Sequence, residues 1–331
     1  MGSKRRLLPW LRQELAPLEP TRVLDAFCGT GCVSWMLRSL GAEVVANDFM
    51  RVGATLAQAL VANPGERLGN DGIEAVCAGA ASPSRFIQDT FSGIFYDEAD
   101  RAFLDRAWSG LSGLSPPRRA VALAALARAA VKKQPRGVFT ISGELSHYDD
   151  GRRDLRISME GQFRESVAII DAVVHDDGRA HRARFGDVFD IEDRDFDLVY
   201  LDPPYVPRSD DNCYIKRYHF IEGLMSYWQA PEIEIMESSK VKKLVKRRTP
   251  FSYRKTAREA FDRLFETFKG SQIALSYSSN GWPDLDQLVD ILRAHKPKVE
   301  VHGRDHRYHF GTHSAVSAAR TAVREYLVVG S

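Results

Sequence analysis

Asp202-Pro203-Pro204-Tyr205 closes a short apolar run, Leu198-Val199-Tyr200-Leu201. A run of this length that stops at proline reads as a buried strand leaving a sheet. Pro203 has no N–H and biases Asp202 away from helical angles, and Pro204 restricts Pro203 in the same way. The tetrapeptide is therefore stiff and extended, at the strand edge where open α/β sheets place ligands. It offers a carboxylate, backbone carbonyls that no local N–H can claim, and an aromatic ring. Two acceptors and a stacking ring suit a planar base with an exocyclic amino group. The plainer alternative is a proline-rich turn with Asp202 in solvent, so context has to decide.

A second chemical stretch lies near the start. Val23 to Ala26 reads as a buried strand that runs into Asp25-Ala26-Phe27-Cys28-Gly29-Thr30-Gly31 and then a helix to about Leu40. A second strand, Val44 to Ala46, ends at Asn47-Asp48. Gly29 and Gly31 permit close backbone approach to a ligand, and the helix start offers free N–H groups. Asp48 follows Gly31 by 17 residues, where an acid can take two ribose hydroxyls. The turn lacks the third glycine of the dinucleotide fingerprint, which favours a smaller adenosyl ligand over a pyrophosphate. A tight turn holding nothing is the alternative. Ala180 to Phe185 alternates like another strand and ends at Gly186-Asp187. Asp25, Asp48, Asp187 and Asp202 thus stand at four predicted strand ends. A doubly wound sheet with a ligand along its carboxyl edge predicts that placement.

The elements around these stretches fit an α/β protein. A short amphipathic helix is predicted within 4–18, further helices over 51–63, 120–131, 163–174, 261–268 and 285–294, and late strands over 273–280, 299–310 and 324–329. Residues 66–165 lose strand character and read as an inserted, mainly helical unit. The expected boundaries are 1–65 with 166–331 for the main domain, 66–165 for the insertion, and 206–260 for a basic insertion within the main domain. The chain has 331 residues, 44% hydrophobic, enough for a large core.

Charge is informative only locally. Lys+Arg 46 against Asp+Glu 44 leaves +2. Lys240 to Arg258 nevertheless holds nine Lys/Arg and no acid. That density fits a phosphate backbone, or else a solvated linker. Arg118, Arg119, Lys132 and Lys133 at the ends of the Ala-rich helix, and Lys216 and Arg217 among aromatics, are further candidate phosphate contacts, as are Lys242, Lys243, Lys246, Arg247 and Arg248. The four cysteines make no disulfide framework in a chain this long. Neither Cys28/Cys32 nor His302, His306, His309 and His313 has the spacing of a metal-ligand set, so no metal is expected. The longest apolar stretch, Ala120 to Val131, is too short for a bilayer and carries Arg128. A cytoplasmic protein, without membrane partner and as a monomer or weak dimer, is the expectation.

With these residues in place the chain resembles the Dam-like (D12 class) adenine-specific DNA N6-methyltransferases, nearly end to end. Gly2 to Leu8 resembles the family's first motif, which implies that Lys4 touches the cofactor. Asp25, Phe27, Gly29, Thr30 and Gly31 look like its S-adenosylmethionine loop. Asn47-Asp48 resembles the ribose-binding acid, and Gly186-Asp187 the motif that contacts the cofactor adenine. Asp202-Pro203-Pro204-Tyr205 matches the catalytic motif, and Ser276-Tyr277 a later motif near the target base. The order, cofactor loop first and catalytic motif late, is also that of the group. The resemblance implies a Rossmann-like, class I S-adenosylmethionine-dependent methyltransferase fold with an inserted helical DNA-recognition domain. It also implies double-stranded DNA as substrate. Tyr205 is the expected stacking ring, with Tyr277 and Tyr308 in reserve.

Three rivals stand beside this reading. Amino-methyltransferases of RNA or protein glutamine more often carry Asn where this chain has Asp202. A non-catalytic DNA-binding relative would not need Asp202, Gly29, Gly31 and Asp48 together. A nicotinamide dehydrogenase would need the full glycine fingerprint. A solitary methylase and the modification half of a restriction system, with a cognate endonuclease as partner, both remain open.

Overall fold

Strands form where apolar and β-branched residues run between glycine or polar turns. In the computed structural model, which describes residues 4–134, 139, 149, 151–204, 206–207, 213–307 and 322–331, these are β1 (Arg22–Asp25), β2 (Glu43–Asp48), β3 (Arg182–Phe185), β4 (Leu198–Leu201), β5 (Val206–Pro207), β6 (Gln272–Ser278), β7 (Gly281–Trp282), β8 (Val299–Arg307) and β9 (Ala322–Gly330). The helices are α1 (Leu8–Leu15), α2 (Cys32–Ser39), α3 (Arg51–Leu60), α4 (Gly69–Ala78), α5 (Phe86–Thr90), α6 (Glu98–Ser109), α7 (Pro116–Lys132), α8 (Arg153–Arg156), α9 (Met159–Asp171), α10 (Tyr214–Leu224), α11 (Arg254–Thr267) and α12 (Leu285–Arg293). The short helix expected within 4–18 is α1, flanked by 3-10 turns at Lys4–Arg6 and Ala16–Leu18.

Seven strands form one sheet in the order β3-β2-β1-β4-β6-β9-β8, while β5 and β7 pair separately. The first five are parallel, and β9 runs antiparallel between β6 and β8. This is the doubly wound, mostly parallel sheet of class I methyltransferases. The chain leaves β1 toward β2 and returns on the other side at β4. The crevice between β1 and β4 is therefore the switch point where such sheets bind ligands. Strand β4 is buried throughout, as a central parallel strand must be. Strand β3 lies at the sheet edge and is partly exposed, which explains its alternation of Arg with Ala and Phe.

Packing separates the chain into two units, 1–57 with 180–213 and 247–331, and 58–179 with 214–246. In the first, Leu24, Val199, Leu201, Ile273 and Leu275 of the sheet pack with Phe261 and Phe265 of α11 and Leu288 and Leu292 of α12. Each such side chain contributes about 1.5–3 kcal/mol on burial. The second unit is helical. Phe220 of α10 meets Phe91, Tyr96 and Phe139 at ring distances of 5.0, 5.3 and 5.2 Å.

These boundaries differ from those expected. Helix α9 packs on α7, which carries 166–179 into the helical unit. Segment 214–246 joins it through the aromatic residues of α10 and is no insertion within the sheet domain. Among the described residues no helix is long and apolar enough to cross a membrane.

Candidate active site

The glycine turn after β1 is tied to both neighbouring strands. The Ala26 N–H donates to the Tyr200 carbonyl of β4 at 3.0 Å, and the Cys28 N–H to the Asn47 carbonyl of β2 at 2.9 Å. Gly29 and Gly31 take φ of 54° and 71°, a region that costs other residues about 1 kcal/mol or more. A Cβ at Gly29 would meet nothing within 4 Å, so the turn opens onto free space on that side. Gly31 starts α2 without a side-chain cap, and Thr30 beside it is partly exposed.

Asp25 lies under this turn, fully buried. Its Oδ2 accepts from the Ser34 hydroxyl of α2 at 2.5 Å, and its buried Oδ1 has no hydrogen-bond partner among the described residues. Burial pushes the carboxyl up to about 7. The Ser34 hydroxyl opposes that rise, and the negative charges of Asp202 and Asp48 add to it.

Asp48 ends β2. Its Oδ2 accepts from the Gly29 N–H and its Oδ1 from the Met50 N–H, both at 2.7 Å. Burial raises it to about 6 against those two donors and the nearby charge of Arg247. The acid thus braces the glycine turn as well as standing at the strand edge. Beside it Asn47 donates to the carbonyls of Ala26 and Gly186, at 3.1 and 3.2 Å, which leaves its buried Oδ1 without a partner among the described residues. Asn47 faces a cleft walled by Phe27, Phe49, Val188, Pro204 and Phe251, with Gly186, Asp187 and Thr249 at its rim. Phe189 stacks on Phe251 at 5.9 Å and 11°, and Phe27 meets Phe251 edge-on at 5.4 Å. Asp187 caps the next turn through Oδ1 and the Phe189 N–H at 3.0 Å.

Asp202 follows β4 at the same edge. Its side chain is 19% exposed, and its Oδ1 lies 3.3 Å from Lys4 Nζ. Lys4 is itself buried and also reaches Glu325 Oε2 of β9 at 3.1 Å. Burial raises Asp202 to about 6. The Lys4 ammonium pulls it down, and the Glu325 carboxylate pushes it up. Pro203 is buried, and Pro204 is partly exposed in the cleft wall. Tyr205 and Tyr308 lie outside the described residues.

Residues 1–95 match the D12 class N6 adenine-specific DNA methyltransferases. The chain is also 27% identical to the type II methyltransferase M2.HphI of Haemophilus parahaemolyticus, over 93% of its own length and 90% of that protein's. The chain resembles the D12 class over its first 95 residues and a type II methyltransferase along nearly its whole length. Shorter matches join this methyltransferase to modification methylase LlaI of Lactococcus lactis subsp. lactis, 28% identical over 40% of the chain and 20% of that protein, and to the type II methyltransferase M.FokI of Planomicrobium okeanokoites, 31% identical over 30% and 14%.

The structure brings Lys4, Asp25, Gly29, Asp48 and Asp202 to one sheet edge, with Phe27 and Asp187 in the adjoining cleft. It places several expected DNA contacts elsewhere. Tyr277 is 1% exposed on β6, packed against Phe261 at 5.9 Å within the core, so it is no surface ring. Arg247 stacks over Phe49 at 4.4 Å and donates to its carbonyl at 3.0 Å, which puts it beside the cleft and Asp48. Arg118 binds Asp71 at 2.6 Å and the Leu68 carbonyl. Arg119 lies over Trp108 at 5.0 Å. Lys132 pairs with Asp154 at 2.8 Å, and Lys133 with the buried Asp100. These four basic residues brace the helical unit. Lys216 and Arg217 sit on α10, Arg217 exposed; Lys242, Lys243 and Lys246 are partly exposed and Arg248 is exposed.

Sequence reasoning missed Ser34, the orphan acceptor of Asn47, and Glu325. For Glu325 a signal existed: strand alternation puts it in phase with Val323 and Leu327, an acid in an apolar row.

Proposed function

We propose that this methyltransferase takes its methyl group from S-adenosylmethionine and places it on the exocyclic N6 of an adenine flipped out of double-stranded DNA. The observation that carries the reading is Asp202, partly exposed at the carboxyl edge of β4, next to the braced glycine turn after β1. The residues present fit the donor. Asp25 is a buried carboxyl whose Oδ1 has no side-chain partner among the described residues, suited to an ammonium group, and the turn beyond it is open at Gly29. The cleft has aromatic walls and a spare acceptor in Asn47, as an adenine with its amino group requires. Lys4, Asp25, Phe27, Gly29, Thr30, Gly31, Asp48 and Asp187 would hold the donor, and Asn47, Phe49 and Phe251 join them.

S-adenosylmethionine, when bound, supplies an electrophilic methyl on a sulfonium. The amine of adenine is a poor nucleophile because its lone pair is delocalised into the ring. Asp202 and the Pro203 carbonyl would accept its two N–H bonds, which lets the nitrogen pyramidalise and aims its lone pair. Transfer would exchange the donor's S–C bond for an N–C bond, and Asp202 or water would take the extra proton from the nitrogen. Positioning and charge stabilisation supply the rate. Extruding the base costs a few kcal/mol. Tyr205 would stack on it.

In this reading the sheet unit binds the donor and does the chemistry, and the helical unit reads the DNA sequence. Lys216, Arg217, Lys242, Lys243, Lys246 and Arg248 would contact phosphates. The long match to a type II methyltransferase supports a place in a restriction-modification system, and this reading gives it a cognate endonuclease as partner and the cytoplasm as its location.

The test is transfer of labelled methyl from S-adenosylmethionine to unmethylated plasmid DNA, with Asp202→Ala alongside. Label on adenine in one short sequence, absent in the variant although donor binding survives, is expected. An acidic limb should appear as Asp202 takes a proton near pH 6. Full activity in the variant, or label on RNA or protein instead of DNA, would overturn the reading.

A further inference from the structure

A buried ammonium is costly unless partnered, and Lys4 has two carboxylates within reach, Asp202 at 3.3 Å and Glu325 at 3.1 Å. Glu325 has no exposed surface. Its strand β9 is clamped on both sides, with Glu325 opposite Ser278 of β6 and Arg304 of β8. Lys4 sits in a three-residue 3-10 turn, an element too short to fix a long side chain by itself. The rigid partner in the contact is therefore the sheet. An acid in the buried row with Val323 and Leu327 costs several kcal/mol unless paired, and the Lys4 contact supplies the pairing. Neither donor binding nor base recognition explains why the row carries an acid.

We propose that Glu325 is a positioning residue for methyl transfer: it anchors the Lys4 ammonium against Asp202 and draws part of that ammonium's charge away from the Asp202 carboxylate. The proposal rests on the methyl-transfer reading for its consequence, though not for the anchoring itself. Among the described residues, the charged and titratable groups around Asp202 are Lys4 from the first turn, Glu325 from β9, Asp25 from β1 and Tyr200 from β4. One ammonium thus serves several acids. Removing the Glu325 charge leaves Lys4 to Asp202, which favours the ionised, acceptor form at lower pH. Removing Lys4 does the opposite.

The experiment follows Asp202 directly by 13C NMR of the full-length protein with carboxyl-labelled aspartate, its resonance assigned by loss in Asp202→Asn. In Glu325→Gln the titration midpoint should fall by about one pH unit, and in Lys4→Met it should rise. In parallel, the acidic limb of kcat should move the same way in Glu325→Gln. Glu325→Ala should lower kcat at pH 8 about tenfold with KM for DNA unchanged, as for a residue acting only in the transition state. Glu325→Gln, whose amide oxygen can still hold Lys4, should recover most of that loss. An Asp202 midpoint unmoved in Glu325→Gln, or a wild-type kcat in Glu325→Ala, would overturn the proposal. Absence of any methyl transfer by the wild-type protein would instead strike the proposed function, and the NMR titration would still decide the anchoring.

Discussion

Three carboxyls at one sheet edge, Asp25, Asp48 and Asp202, are held closer to neutrality than ordinary aspartates, each chiefly by burial. A carboxyl raised in the folded state makes a stabilising contribution that is full at low pH and is lost as pH rises through its folded value. For Asp25 that window runs from its ordinary 3.8 to about 7. Asp25→Asn removes the cost of the buried charge, so its stability relative to wild type should grow by up to about 3 kcal/mol between pH 5 and pH 8. Thermal unfolding at the two pH values measures this; equal differences at both would show that Asp25 does not titrate there. The same variant should bind S-adenosylmethionine more weakly, because it loses the charge facing the free acceptor position. Stability and function pull apart here, as they do at many binding sites. Residues of this kind were legible only where they stand in contiguous motifs. Asp25, Gly29 and Asp202 announce themselves by their neighbours. Ser34 and Glu325 reach their partners through a helix turn and through a strand that returns 321 residues after Lys4, and no local pattern spells that out.

The element that positions Asp48 is α3, which passes so close that only glycine fits at its first turn. A Cβ at Gly53 would lie 2.4 Å from Asp48 Cγ. Alanine normally favours a helix interior over glycine by about 1 kcal/mol. In Gly53→Ala that gain is set against displacement of Asp48 from the Gly29 and Met50 N–H groups. Each charge-assisted hydrogen bond is worth about 1.5–3 kcal/mol, so S-adenosylmethionine affinity should fall at least tenfold. Titration calorimetry checks it, and an unchanged affinity would mean that the brace on the glycine turn is dispensable. The parallel core was legible because its strands are apolar runs ending in acids, and a last strand was legible too, but its antiparallel direction is set by pairing with β6 and β8, which no local pattern shows. The division of the chain was less so. Segment 214–246 carries a basic surface pattern, yet the buried face of α10, with Ile215, Phe220 and Leu224, assigns it to the helical unit. Packing between distant helices decides such a boundary, and composition does not carry it.

At the scale of the whole molecule a net charge of +2 gives no general attraction for DNA, so affinity has to come from cations left available at the surface. That separates two groups of basic residues with similar sequence credentials. Lys133 is 10% exposed and paired with Asp100, a buried acid that also accepts from the Met159 N–H at 2.7 Å. Breaking such a pair strands a buried charge and costs about 3–5 kcal/mol. Lys133→Ala should therefore lower the melting temperature and leave the salt dependence of DNA binding unchanged. On α10 Lys216 is partly exposed and Arg217 exposed. Each phosphate contact contributes about 0.9 to the slope of log affinity against log salt, so replacing both with alanine should reduce that slope by about two, with little change in stability. The slopes, taken from binding to one oligonucleotide across a salt series, distinguish the cases. A slope reduced by Lys133→Ala would put phosphate at α7. A slope unmoved by the α10 pair would shift the DNA-contacting cations to the basic stretch that follows, where Lys240, Lys242, Lys243, Lys246 and Arg248 carry exposed surface.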